Sequence, residues 1–150
     1  MEYNEVKRLL TECPDLAALD ETSAADLFWR AQELTFSEGD TIYAEGSPLD
    51  QTFCLLLSGE LVAEKDGMIT GNIYESQIFG EMAYFTNQSV RNASVRVSSP
   101  RAVILQFHLT PAELGGAQLA GLRRCLFLRT WNRFVSTSQS GSAEALAMSV

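Results

Sequence analysis

The stretch FGEMAYFTNQSVRNASV, residues 79–95, places a carboxylate and a guanidinium on either side of a short apolar segment. Arginine, here Arg91, presents a planar fork of N–H groups that pairs with two phosphate oxygens. Main-chain N–H groups at the start of a helical turn add donors, and Gly80 and Ala83 are small enough to let an anion approach. Glu81 offers an acceptor for a sugar hydroxyl. Taken alone, the two charges are more typical of solvated surface charges or a simple ion pair than of a binding site.

Local pattern predicts one helical turn over residues 81–85, with Met82 and Phe85 anchored in the core. Arg91 is expected at the start of the strand that follows. In this arrangement the turn and Arg91 close a pocket from two sides.

The region from Leu34 to Phe107 reads as short apolar runs separated by glycine-containing turns. Such spacing is typical of an antiparallel sandwich or barrel, and several of the glycines suit turns that need positive φ. The predicted strands are residues 41–43, 52–57, 60–65, 70–74, 91–97 and 102–107.

Helical patterns flank the predicted sheet region. A first helix is expected to end near Glu12, because Pro14 disfavours helix at the residue before it, and a second is expected to be capped by Asp20. Thr110 and Pro111 start a third segment that Gly115-Gly116 interrupts. A longer apolar stripe follows, broad enough to pack on the sheet and on a second copy of the chain, formed by Leu119, Leu122, Leu126, Thr130 and Phe134 with Phe127, Leu128 and Trp131 beside it.

Composition and charge argue against nucleic-acid-binding, membrane-bound and secreted classes of protein. The chain has 150 residues and a formal net charge of −8, which argues against a broad nucleic-acid surface and against docking on anionic lipid. No apolar run is long enough to span a membrane, and the first residues lack the features of a signal peptide. The cysteines Cys13, Cys54 and Cys125 lack metal spacing and are interpreted as reduced, buried thiols of a cytoplasmic protein.

Catalytic and metal chemistry find little support in the sequence. Its one histidine, His108, adjoins an apolar strand and is interpreted as a strand-end residue. Gly-x-Ser-x-Gly and P-loop patterns are absent. We therefore predict no catalytic residue, no metal, no cofactor and no enzymatic activity.

Residues 79–95 resemble the phosphate-binding cassette of the cyclic nucleotide-binding domain family, and "cassette" denotes this segment below. The family pattern is Phe-Gly-Glu, an aliphatic and a small residue, an apolar pair, a variable loop, then Arg, a small residue and Ala. It is matched by Phe79-Gly80-Glu81-Met82-Ala83-Tyr84-Phe85 and, after the loop, by Arg91-Asn92-Ala93. The upstream runs at residues 39–46 and 53–61 are similar to the family's first turn and central hairpin.

The resemblance implies a mainly β fold: an antiparallel jelly-roll sandwich or barrel with short N-terminal helices and a long C-terminal helix. The domain would cover residues 1–135, with a flexible tail at 136–150. It implies that Glu81 binds a ribose 2′-hydroxyl and Arg91 the cyclic phosphate of cAMP or cGMP. The remaining phosphate contacts would be main-chain amides at Gly80, Met82, Ala83, Asn92 and Ala93. Candidate base contacts are Thr130, Trp131 and Asn132, although Trp131 fits dimer or core packing equally well.

Two departures from the family pattern stand out. Asn92 is larger than the residue that usually follows the arginine, so it either crowds the phosphate or adds a donor. Transcription regulators of the family carry a helix-turn-helix domain after the long helix, whereas this sequence ends in a Ser-rich tail. We therefore expect no direct DNA binding. From the broad apolar stripe we also expect a homodimer through the C-terminal helix. The alternative hypothesis is a degenerate jelly roll that binds no nucleotide and acts as a dimeric protein-interaction module.

Overall fold

The computed structural model describes residues 3–17, 19–86 and 88–139, with helices at both ends of a region of strands. Four α-helices lie in this part of the chain: α1 (Tyr3–Glu12), α2 (Glu21–Trp29), α3 (Pro111–Leu114) and α4 (Ala120–Gln139). Short 3-10 segments cover Pro14–Leu16, Glu81–Tyr84 and Ala117–Leu119. The strands are β1 (Gln32–Ser37), β2 (Thr41–Tyr43), β3 (Thr52–Ser58), β4 (Leu61–Lys65), β5 (Met68–Ile73), β6 (Ile78–Phe79), β7 (Ser94–Val97) and β8 (Arg101–His108).

The helix ends follow the signals predicted from the sequence. α1 ends at Glu12, and the Asp20 side chain caps α2 by accepting a hydrogen bond from the Ser23 N–H. α3 begins with a full capping box between Thr110 and Glu113.

The strands of the described chain form two four-stranded antiparallel sheets. The first has the order β1-β8-β3-β6 and the second β2-β7-β4-β5. β6, which leads into the cassette, lies at the edge of the first sheet, and β7, which leaves it, lies inside the second. The cassette therefore connects the two sheets.

The first sheet is covered on both faces. Along β3, Cys54 and Leu56 belong to an apolar cluster that includes Val95 of the second sheet, so this cluster lies between the sheets. Phe53 and Leu55 point the other way and pack in a second cluster with residues of α1, α2 and α4. Helices thus cover the outer face of the first sheet. Because β3 is buried on both faces, its sequence is an almost continuous apolar run.

The prediction of a mainly antiparallel β fold with short helices is confirmed, while the described strands do not close into a barrel. β1 and β6 were not predicted as strands. The strand predicted at residues 91–97 starts only at Ser94, because Arg91 turns its side chain into the protein and its backbone bonds to residues 46 and 47. α4 continues to Gln139, and residues 140–150 of the expected tail lie outside the described residues. No described helix has the length and apolar character needed to cross a membrane.

Candidate functional site

Arg91 lies buried at the junction of the two sheets, with an exposed fraction of 5%. Its Nη1 donates to the Gly80 carbonyl at 2.9 Å. Its Nη2 donates to Asp50 Oδ1 at 2.8 Å and to the Thr52 carbonyl at 2.9 Å. The guanidinium carbon lies 3.9 Å from the centroid of the Tyr43 ring, so the cation also rests on an aromatic face. These contacts fix the plane of the guanidinium.

One donor of Arg91 stands apart from the others. Nε is buried and has no hydrogen-bond partner among the described residues. Because a buried donor without a partner costs free energy, such a group in a folded protein calls for an explanation. A bound anion would satisfy it.

Glu81 opens the 3-10 turn Glu81–Tyr84 and is fully buried. The preceding residue, Gly80, has φ +83°, and a Cβ there would lie 2.9 Å from the Tyr43 ring. Only glycine therefore fits this turn without strain. Because Gly80 accepts a hydrogen bond from Arg91, the turn brings the predicted carboxylate and guanidinium into one site.

Near Arg91, the half-exposed carboxyl group of Asp50 is held in its charged form, whereas the buried side chains of Tyr43 and Cys54 are held in their neutral forms. Burial alone would raise the pKa of Asp50, but hydrogen bonds from Thr52 and Arg91 outweigh it and lower the pKa below its ordinary value. Burial raises the pKa of Tyr43 well above its ordinary value and that of Cys54 to about 12. At neutral pH the site therefore holds ionised Asp50 beside a neutral phenol and a neutral thiol.

A narrow pocket opens beside the cassette. It is lined by Tyr43, Leu49, Met82, Ala83, Thr86, Val90, Arg91, Asn92 and Ala93. Its volume of about 10 Å³ is roughly that of one water molecule. Five of the predicted ligand contacts line it, whereas Gly80 and Glu81 are not among the lining residues. Met82 was expected in the core, but it is only half-buried, because the turn directs it to the pocket.

The three candidate base contacts on α4 do not line this pocket. α4 packs through Leu122, Cys125 and Leu126 on the outer cluster, away from the space between the sheets. The Thr130 hydroxyl is buried with no hydrogen-bond partner in the described chain, while Trp131 and Asn132 are exposed. The Phe134 side chain lies outside the described residues.

Sequence reasoning missed the groups that hold Arg91 in place. Tyr43, Asp50 and Thr52 come from β2, β3 and the loop between them, about 40 residues upstream, with Arg91 and Thr52 separated by 39 positions. No local pattern distinguishes Asp50 among the 19 acidic residues of the chain. The one signal is physical: a buried arginine needs a counter-charge, so an acidic residue is expected in contact with Arg91.

A family model described as the cyclic nucleotide-binding domain matches residues 33–110, which is just over half of the chain. The chain belongs to the cyclic nucleotide-binding domain family. The match includes Glu81, Arg91 and the strands on either side of them. No curated protein sequence matches the chain.

Solved structures show the same fold at low sequence identity. Cyclic AMP-bound PfPKA-R is 19% identical with a TM-score of 0.74, over 96% of this chain and 49% of that one. The sensor domain of the transcriptional regulator DNR from Pseudomonas aeruginosa is 18% identical with a TM-score of 0.68, over 89% of both chains. The regulatory subunit of a cAMP-independent protein kinase A from Trypanosoma brucei is 17% identical with a TM-score of 0.74, over 93% of this chain and 50% of that one. The chain thus spans about half the length of two of these proteins.

The described residues contain no cluster of three or more His, Cys, Asp or Glu side chains able to hold a metal ion. The three cysteines are buried and free of disulfides. The buried charges of the cassette are therefore the chemically distinctive groups in this part of the molecule.

Proposed function

We propose that this chain is a non-enzymatic regulatory module that binds a cyclic mononucleotide, cAMP or cGMP, at the cassette. The observation that carries the proposal is the buried Nε of Arg91, which lacks a partner in the described chain and belongs to a residue that lines the pocket. A cyclic phosphate carries one negative charge and several acceptor oxygens. It matches a fixed guanidinium with an open donor.

The other predicted residues take complementary roles in this proposal. Main-chain N–H groups of Met82, Ala83, Asn92 and Ala93 surround the phosphate, because all four residues line the pocket. Glu81 accepts from the ribose 2′-hydroxyl. Glu81 is fully buried, and carboxylate oxygens accept hydrogen bonds, so a sugar hydroxyl is a fitting donor there.

Binding requires the pocket to open. A volume of about 10 Å³ does not hold a nucleotide, so side chains at its rim must move. The segment 88–90 is the candidate, since it is joined to the facing loop by the Leu49 N–H to Ser89 carbonyl bond and the Pro48–Val90 bridge. We propose that ligand binding displaces this segment and shifts α4, which contacts the turn Glu81–Tyr84.

The choice between cAMP and cGMP is left to measurement. One similar structure is bound to cAMP and another is a cAMP-independent regulatory subunit, and both share less than a fifth of their residues with this chain. Calorimetric titration with each nucleotide, on protein refolded to remove any copurified ligand, tests the proposal. Mass spectrometry of the small molecules released on refolding identifies a resident ligand. We expect heat from at least one nucleotide, and no heat from either would refute the proposal.

A second candidate function is an interaction module without a ligand. The narrow pocket favours it, as do the exposed apolar side chains of α4, which are Phe127, Leu128 and Trp131. In both candidates we propose a homodimer through α4 and a cytoplasmic location, the latter supported by three buried cysteines that form no disulfide. The same titration separates the two functions, since only the first predicts heat.

A further inference from the structure

Lys65, the second of the two lysines in the sequence, reaches the cassette from the neighbouring strand. It ends β4 and is half-buried. Its Nζ donates to the main-chain carbonyl oxygen of Asn92 at 3.2 Å. This carbonyl lies one residue beyond Arg91, so a second cation lies behind the predicted phosphate site.

The contact acts on one particular peptide group. The carbonyl of Asn92 and the N–H of Ala93 belong to the same amide, and the described chain contains no cis peptide bond. In a trans amide these two groups point in opposite directions. A cation at the oxygen draws electron density from the nitrogen and makes the N–H a stronger donor on the other side.

The Ala93 N–H is placed to use this effect. Ala93 is fully buried and lines the pocket. Ala93 immediately precedes β7. Apart from hydrogen bonds within the strand ladders, its N–H donates to no backbone group of the described chain. Lys65 therefore polarises a donor that is directed at the pocket region and is not consumed by the fold.

The charges around the cassette show why a second cation matters. The guanidinium of Arg91 is paired with Asp50, which offsets part of its positive charge. Nearby, Glu64 pairs with Arg96, and Glu45 accepts from the Asp66 N–H. Lys65 forms no ion pair within the described residues, so its charge is not cancelled by a direct partner. Lys65 therefore adds positive potential beside a pocket whose own cation, Arg91, is paired with Asp50, and this favours an anion there.

We infer that Lys65 is a positioning residue for anion binding, acting through the peptide group between Asn92 and Ala93 rather than by touching the ligand. This inference rests on the proposed function, since it assigns a residue to the same phosphate site. It differs from the cassette residues in coming from β4, outside the matched motif.

The test compares three variants by calorimetric titration with cAMP and cGMP. Lys65→Met keeps the length of the side chain and removes its charge, and Lys65→Arg keeps the charge. Lys7→Met makes the same change in net charge on an exposed face of α1. We expect Lys65→Met to weaken binding about tenfold, while Lys65→Arg and Lys7→Met stay within about threefold of the wild type. Thermal unfolding of each protein without nucleotide verifies that the variants fold.

A salt titration separates a charge effect from a structural one. If Lys65 acts through its charge, raising the salt concentration from about 0.05 M to about 0.5 M should weaken binding more in the wild type than in Lys65→Met. Equal affinity of folded Lys65→Met and wild type overturns the inference, and so does an Arg variant as weak as the Met variant. An equal loss in Lys7→Met also overturns it. Absence of binding by the wild type refutes the proposed function itself and is thus distinguished from failure of the lysine alone.

Discussion

Arg91 contributes both its charge and its fork of donors to the proposed site, and two substitutions separate these contributions. Its Nη atoms join Gly80, Asp50 and Thr52, whereas Nε remains for a ligand. Arg91→Lys keeps the charge but loses the fork, so it should lose part of the stability together with the phosphate geometry. Arg91→Ala loses the charge as well, so the difference between the two variants reports the contribution of the charge.

We expect Arg91→Ala to weaken cyclic nucleotide binding by about 3 kcal/mol, roughly a hundredfold or more, because it leaves a partly buried phosphate without its counter-charge. Calorimetry measures the loss. Arg101→Ala, an exposed position at the start of β8, is the matched control and should bind as the wild type does. Equal affinities of Arg91→Ala and wild type would remove Arg91 from its assigned role.

Asp50 links the site to pH. Because its folded-state pKa is lowered, its carboxylate stabilises the fold above the unfolded-state pKa of about 3.9, and this contribution is lost as pH falls through the lower folded-state pKa. The side chain is 53% exposed, so solvent screening limits the effect to about 1 kcal/mol or less. Asp50→Asn should therefore lose less stability than the wild type between about pH 6 and pH 3.

Urea unfolding at both pH values measures this difference. Asp26→Asn on the exposed side of α2 is the control, since Asp26 forms no ion pair in the described chain. An Asp50→Asn protein with the same acid dependence as the wild type would show that the Asp50–Arg91 contact does not stabilise the folded state.

At the level of individual residues, the sequence predicted Glu81 and Arg91 as partners in one site because both lie in a short motif. It did not predict Asp50, whose contact with Arg91 spans 41 positions. Local patterns report what one segment does, and they carry no information on which distant loop supplies a counter-charge. Met82 illustrates the same limit, since the orientation of the turn decides whether it faces the core or the pocket.

Among the elements of the fold, the turn after β6 depends most on a single residue. We expect Gly80→Ala to destabilise the protein by about 2 kcal/mol, because alanine at positive φ is strained and its Cβ would press on Tyr43. Gly71→Ala is the matched control, since β5 leaves open space at that position. Chemical denaturation of both variants measures the difference, and equal stabilities would show that the turn tolerates a side chain.

The sequence predicts six of the eight strands in the described residues, and the two strands that it misses have a physical reason. β1, with the sequence QELTFS, alternates exposed and half-buried residues and contains little apolar surface. It is recognised as a strand only through its pairing with β8 from Gln32↔Gln106 to Ser37↔Arg101. β6 has two residues, too few for any period-two pattern. In both cases pairing with a distant strand, rather than local propensity, decides the structure.

At the scale of the whole described chain, two apolar clusters connect the cassette with α4. The inner cluster contains Phe79 and Ala93 at the two ends of the cassette. The outer cluster contains Leu122 and Leu126 of α4, and Tyr84 and Phe85 of the cassette pack against it. Phe85 also meets Phe127 of α4 edge-on, with ring centroids 5.9 Å apart. Packed aromatic rings therefore join the cassette to α4, which is the contact that the proposed shift of α4 requires.

The exposed apolar face of α4 is relevant to the oligomeric state of the chain. Phe127, Leu128 and Trp131 are 51%, 41% and 52% exposed, respectively, and a symmetric dimer would bury them. We predict that the chain sediments as a dimer and that Leu128→Arg shifts it to a monomer, because a symmetric contact brings each added charge against its own copy. Analytical ultracentrifugation measures the change. Trp29→Arg, at an even more exposed apolar residue of α2, is the control and should remain dimeric.

Salt dependence gives this prediction a second readout. The sequence of α4 contains four arginines and no carboxylate, so two copies repel one another electrostatically. Apolar contact must outweigh that repulsion, and screening by salt should therefore tighten the dimer rather than loosen it. A dimer that weakens with salt would point to pairing of α4 with the acidic remainder of another copy. A wild type that stays monomeric at all salt concentrations, or an unaffected Leu128→Arg dimer, would exclude α4 as the contact.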